Sequence, residues 1–154
     1  MPSAPSIDIH AHFFPEEYLR SLEKEGPAHG VALNRSNSRG PAIQIGPTLG
    51  GPLRSTFWDL DARVKEMNRA GVRVHALSLT FPMVYWAPAD LGVHLARLTN
   101  DALSQAHTAF PDRYVGLATL PLQDAPRAVE ELDRAARLPG IRGVYLGTNV
   151  RGRE

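Results

Sequence analysis

The sequence predicts an α/β fold on a parallel sheet, either an open doubly wound sheet or part of a (β/α)8 barrel. Three features predict it. Four short apolar segments read as strands. Helical-period segments, about 12 or more residues long, separate them, as parallel βαβ units require. The chain has 154 residues, whereas a complete barrel takes about 250. Four strands in this length make roughly half a barrel.

The first strand is 7–12, IDIHAH, preceded by Pro and Ser. A helix starts at Pro15-Glu16-Glu17, with Pro in its first turn and acids at its positive dipole end. Tyr18, Leu19 and Leu22 form its apolar stripe, and Gly26-Pro27 stops it. Residues 26–55 are rich in Gly and Pro, with a short strand only at 42–45. A connection this long reads as a surface excursion, a loose hairpin at most. Asp59 caps the next helix, Leu60, Val64 and Met67 line its inner face, and Gly71 ends it. Strand 72–79 follows at once, then an aromatic loop over 80–88. A long helix spans 89–110 with the stripe Leu91, Leu95, Leu98, Ala102 and Ala106. The third strand is 114–118. Asp124 caps a helix over 126–138, and the fourth strand is 141–147. The whole of 1–154 reads as a single domain carrying the excursion 26–55.

Composition narrows the function. There are 17 Lys+Arg against 16 Asp+Glu, so a net charge of +1 gives no electrostatic case for nucleic acid or an anionic membrane. No apolar run approaches the roughly 20 residues of a membrane span. The absence of cysteine rules out a disulfide framework, a Cys nucleophile and Cys-ligated metal. The N-terminus lacks the basic and apolar regions of a signal peptide. These features fit the cytoplasm.

The chemistry-bearing motif is His10-Ala11-His12 at the C-terminal end of the first strand. Strand alternation predicts that Asp8, His10 and His12 project together, with Ile7, Ile9 and Ala11 toward packing helices. Two imidazoles on one face, at the strand end where parallel sheets keep their ligands, suit a divalent ion such as zinc. The alternative is two histidines hydrogen-bonded at a strand end. A catalytic zinc needs at least a third protein ligand, and none is evident. His75 falls on the face opposite Val74 and Ala76. His94 and His107 lie off the stripe of the long helix and read as solvated, and His29 sits in the excursion. Arg54 is a candidate clamp for a substrate carboxylate, or an exposed loop arginine. Phe81, Met83, Tyr85 and Trp86 could wall an apolar pocket, or pack the loop over the sheet.

The blocks IDIHAHFFPEEYL, WDLDARVKEMNRAGVRVHALSLTFPMVYW, LTNDALSQAHTAFPDRYVGLATLPLQD and GIRGVYLGTNV together resemble the amidohydrolase-related (amidohydrolase 2) family. The likeness is greatest to its aminocarboxymuconate-semialdehyde decarboxylase-like branch. The resemblance implies the N-terminal half of a (β/α)8 barrel with zinc at its C-terminal mouth. It implies His10 and His12 as the first two metal ligands, and places the other ligands and the catalytic His on strands beyond Glu154. It also implies that Arg54, ahead of Trp58, holds the carboxylate of a small unsaturated or aromatic acid. The activity implied is decarboxylation, with the substrate carbon protonated before its bond to CO2 breaks. Related members act as hydratases or hydrolases. A half-barrel leaves strand edges open, so a truncated product or fragment, pairing with a second chain or with itself, or poor stability is expected. The isolated chain is expected to be inactive, the alternative to an enzyme being a non-catalytic truncated remnant that persists as an interaction partner.

Overall fold

The computed structural model describes residues 6–36 and 40–152. In chain order it contains β1 (Ser6–His12), α1 (Glu16–Glu25), β2 (Val31–Asn34), β3 (Ala42–Ile45), β4 (Thr48–Leu49), α2 (Leu60–Ala70), β5 (Val72–Ser78), α3 (Ala89–Ala109), β6 (Tyr114–Ala118), α4 (Ala125–Ala135) and β7 (Ile141–Val144). Residues 37–39 of the expected excursion lie outside the described residues.

β1, β5, β6 and β7 form one sheet in that order, all neighbours parallel. A doubly wound sheet reverses strand order at a switch point. Here the order runs on in one direction, as in a barrel. The architecture is therefore half of a (β/α)8 barrel rather than an open doubly wound sheet.

Local signals set most boundaries. The Asp59 carboxylate accepts from the Ala62 amide at 2.8 Å and starts α2. Gly71, at φ 69°, takes the left-handed position that ends α2 and turns the chain straight into β5. Asp124 accepts from the Arg127 amide at 3.3 Å and starts α4. Tyr18, Leu19 and Leu22 are the buried face of α1, as the sequence predicts.

Four expectations need correction. The excursion is not a loose surface hairpin. β2 pairs with β3 and β3 with β4, both antiparallel. Val31 and Ile43 then join Tyr18, Leu22, Leu79 and Val84 in one apolar core over the sheet's mouth. The buried face of α3 is also turned from the predicted stripe. Gly92, Leu95, Ala96, Thr99, Leu103 and Ala106 are inside, whereas Leu91, Leu98 and Ala102 are only partly covered. Small residues let the helix approach closely, and Asn100 is drawn inward by bonds to Thr119 O at 3.0 Å and Glu131 Oε1 at 2.7 Å. β7 stops at Val144, short of the predicted strand end. Ile7 and Ile9 are 61% and 74% exposed instead of packed against helices. They lie on β1, which along with β7 is an edge of the sheet without a second neighbour among the described residues.

A second core fills the space between sheet and helices, with Phe13, Met67, Leu77, Leu103, Tyr114 and Ile141 at its centre. Leu77 marks the helix side of β5, so the next residue, Ser78, faces the other side. Among the described residues, no helix is long and apolar enough to cross a membrane.

A candidate metal pair beside an aromatic cavity

β1 is not a regular strand. Asp8 pairs with His75 and Ala11 with Leu77, so three steps on β1 match two on β5. This bulge shifts the alternation. Asp8 therefore does not project with the two imidazoles, contrary to the sequence expectation. It joins His75 on the helix side, where its carboxylate lies 3.7 Å from His75 Nε2. Its other oxygen accepts from the His10 amide at 2.8 Å.

His12 pairs with Ser78 and shares its face. His12 Nδ1 is 3.3 Å from Ser78 Oγ, and His12 Nε2 is 3.0 Å from His10 Nε2. With Nδ1 donating to Ser78, the Nε2 lone pair of His12 is turned toward His10. Burial pulls the His12 pKa below its ordinary value, and the neighbouring His10 and Arg63 add to the effect, opposed by Asp8. The ring is thus neutral at neutral pH, the form that ligates metal. Two nitrogens at about 2.0–2.1 Å from one ion, subtending about 90–110°, stand about 2.8–3.4 Å apart. The observed 3.0 Å fits that requirement. Among the described residues, no group of three or more His, Cys, Asp or Glu could complete a metal site.

The other histidines are elsewhere. His75 Nδ1 lies 3.4 Å from an Arg63 guanidinium nitrogen on the helix side of the sheet. His94 is exposed, and His29 follows α1 with its ring 6.1 Å from Trp86. His107 is not simply solvated. It is half-buried and donates from Nδ1 to Tyr114 O at 2.7 Å.

A cavity of about 350 Å³ opens in the aromatic loop, lined by Thr80, Phe81, Met83, Trp86, Tyr145 and Arg151 among others. The structure thus brings Phe81, Met83, Tyr85 and Trp86 to one cavity. Tyr145 links that cavity to the imidazoles, since its ring lies 5.9 Å from that of His12. The loop is firmly tied. Tyr18 Oη donates to Met83 O at 2.5 Å and accepts from Trp86 Nε1 at 3.3 Å. Complete burial pushes the Tyr18 pKa well up, so the donor stays protonated. Gln123 donates to Val84 O and Ala87 O at 2.9 and 3.2 Å. Arg151 donates to Tyr85 O and Ala87 O at 2.9 and 2.7 Å.

Arg54 is exposed and does not line this cavity. Its carbonyl accepts from the Phe57 amide at 2.9 Å and opens a short 3-10 turn. The guanidinium on the cavity wall is that of Arg151, which sequence reasoning missed. It missed Tyr145 and Arg63 too. Arg63 is 5% exposed. The available signal was its position, at helical spacing beside Leu60 and Met67 on the face that α2 turns inward.

A family model described as amidohydrolase matches residues 7–154. The 2-amino-3-carboxymuconate-6-semialdehyde decarboxylase of Dictyostelium discoideum is 33% identical over 150 residues, covering 96% of this chain but 42% of the relative. The chain therefore spans about two-fifths of that curated relative. Among solved structures, the apo IDCase of Metarhizium anisopliae superposes with a TM-score of 0.84 at 23% identity, over 98% of this chain and 44% of that one. A dihydroxybenzoic acid decarboxylase from a Polaromonas species, with bound manganese and 2-nitroresorcinol, gives a TM-score of 0.66 at 28% identity, over 92% and 38%.

Proposed function

This chain belongs to the amidohydrolase family, and from that premise we propose that it carries the first part of the metal and substrate site of a decarboxylase. The substrate is a small unsaturated or aromatic carboxylic acid. His10 and His12 are two of the metal ligands. The observation that carries this reading is the 3.0 Å approach of their Nε2 atoms beside a cavity of about 350 Å³. Phe81, Met83 and Trp86 supply apolar walls that suit a planar substrate, and Tyr145 joins wall to ligand pair. Manganese in the Polaromonas relative supports a divalent cation, with zinc the ion expected from paired imidazoles. When bound, the cation supplies a Lewis-acid pole for the substrate's oxygens.

The chain's own residues bind and orient. A guanidinium meets the substrate carboxylate. Arg54 holds that role in the family resemblance, and Arg151 is favoured by its place on the cavity wall. Hydrolysis or hydration remains the alternative chemistry of the same site. With two ligands present and no third among the described residues, the chain alone binds metal weakly and does not turn over. The remaining ligands, and cover for the edges of β1 and β7, come from further polypeptide, whether of the same chain, a second copy or a second chain. The cysteine-free composition suits the cytoplasm.

Equilibrium dialysis against Mn2+ and Zn2+ tests the ligand pair. The intact chain retains metal and the double variant His10→Ala/His12→Ala does not. Equal retention by both sinks the assignment. CO2 release from a dihydroxybenzoic acid, absent with this chain alone, tests the dependence on further ligands. Light scattering after size-exclusion chromatography tests the partner, and a well-behaved monomer at all concentrations rules out self-association.

A further inference from the structure

Arg63 is a charged side chain on α2 buried behind the strand that carries the imidazole pair. Its Nε donates to Thr56 O at 2.7 Å. One terminal nitrogen donates to the carbonyl oxygen of His12. The other faces His75 Nδ1 at 3.4 Å. Among the described residues no carboxylate lies within ion-pair distance of it. Its acceptors come instead from the 3-10 turn that follows the excursion, from β1 and from β5.

A buried guanidinium is costly to desolvate, and its planar fork can bridge acceptors supplied by several elements at once. What it holds here is the β1 bulge. Arg63 fixes the carbonyl of His12, and Asp8 fixes the amide of His10 at 2.8 Å. His75 stands between the two, bonded to Arg63 and 3.7 Å from Asp8. The two backbone units that carry the imidazoles are thus gripped from the helix side, while the rings face the mouth.

We propose that Arg63 is a positioning residue for the His10–His12 pair. With Asp8 and His75 it sets the β1 bulge that brings the two Nε2 atoms to ligand spacing. The metal part of this claim rests on the ligand assignment above. The positioning part does not, because it concerns the rings in the metal-free chain.

The test uses the chain as it stands, with Arg63→Met, Arg63→Lys and Asp8→Ala. Imidazole 15N signals are recorded without metal, and Mn2+ affinity is measured by calorimetry alongside thermal melting. In Arg63→Met the His10 and His12 signals move while exposed His94 stays, and Mn2+ affinity falls about 10- to 100-fold, the usual range for partners behind a metal ligand. Arg63→Lys, which can still reach one carbonyl, recovers part of both. Asp8→Ala moves His10 more than His12. If the wild-type chain takes up no Mn2+, the ligand assignment falls and the ring signals alone decide the positioning claim. If Arg63→Met does not fold, Arg63→Lys and Asp8→Ala decide it. Variants that melt lower but keep both ring signals and wild-type Mn2+ affinity overturn it.

Discussion

Arg63 and Arg134 sit in the same layer of helices, and their surroundings push their basicity in opposite directions. Arg134 bonds Glu131 at 2.7 and 2.8 Å and Asp101 at 2.7 Å, and the Glu131 carboxylate raises its pKa. Burial lowers the pKa of Arg63, only partly offset by more distant Tyr114, Glu66 and Asp8. Both remain charged at neutral pH. Arg134 joins α3 to α4 through acids that those helices supply. Arg63 gathers backbone carbonyls at the end of β1. The first arrangement neutralises charge and holds the scaffold. The second spends a buried charge on aiming two imidazoles.

That contrast can be broken experimentally, and the largest effect is expected in the scaffold. Glu131 is fully buried and meets Arg97 and Asn100 as well as Arg134. Glu131→Ala removes the shared acceptor and is expected to cost about 3–5 kcal/mol in urea unfolding, the range for breaking a buried pair. Mn2+ affinity per folded molecule is expected to stay unchanged. A parallel fall in affinity would erase the distinction between the two arginines. Arg63→Met strips donors from the carbonyls of Thr56 and His12 and is expected to cost about 1–3 kcal/mol, the range for unsatisfied buried acceptors. Its ratio of metal loss to stability loss should therefore be the reverse of that of Glu131→Ala.

The smallest effect is on pH dependence. Burial is the leading cause that holds His12 and His75 below their ordinary value of 6.5, with Arg63 adding to it in both. The unfolded chain therefore takes up protons first as pH falls through 6.5. Stability is retained above that pH and declines below it. His75→Asn is expected to flatten the decline in melting temperature between neutral pH and pH 5, and an unchanged slope would show that His75 does not report the Arg63 environment.

The sequence carried the order of the four parallel strands and the four helices, but not β2 and β4, because caps and stops are local whereas the pairing within the excursion is not. Asp59, Gly71 and Asp124 did in the structure what their residue types predict. It also located the imidazole pair and four residues of the cavity wall, Phe81, Met83, Tyr85 and Trp86. It failed where an outcome depends on distant partners. The face of α3 was misjudged because polar Asn100 is buried by Glu131 and Thr119, which arrive from elsewhere in the chain. The orientation of Asp8 was misjudged because a bulge follows from strand pairing, not from the strand's own letters. Arg151 escaped notice since only folding returns it to the carbonyls of Tyr85 and Ala87.

The bulge in β1 also sorts charge. A strictly alternating strand would have delivered an anion to the same side as the two rings, and a dication bound there would have met a local counter-ion. With the Asp8 carboxylate drawn to the other side of the sheet, a dication held as proposed would keep more of its attraction for an acid arriving from solvent.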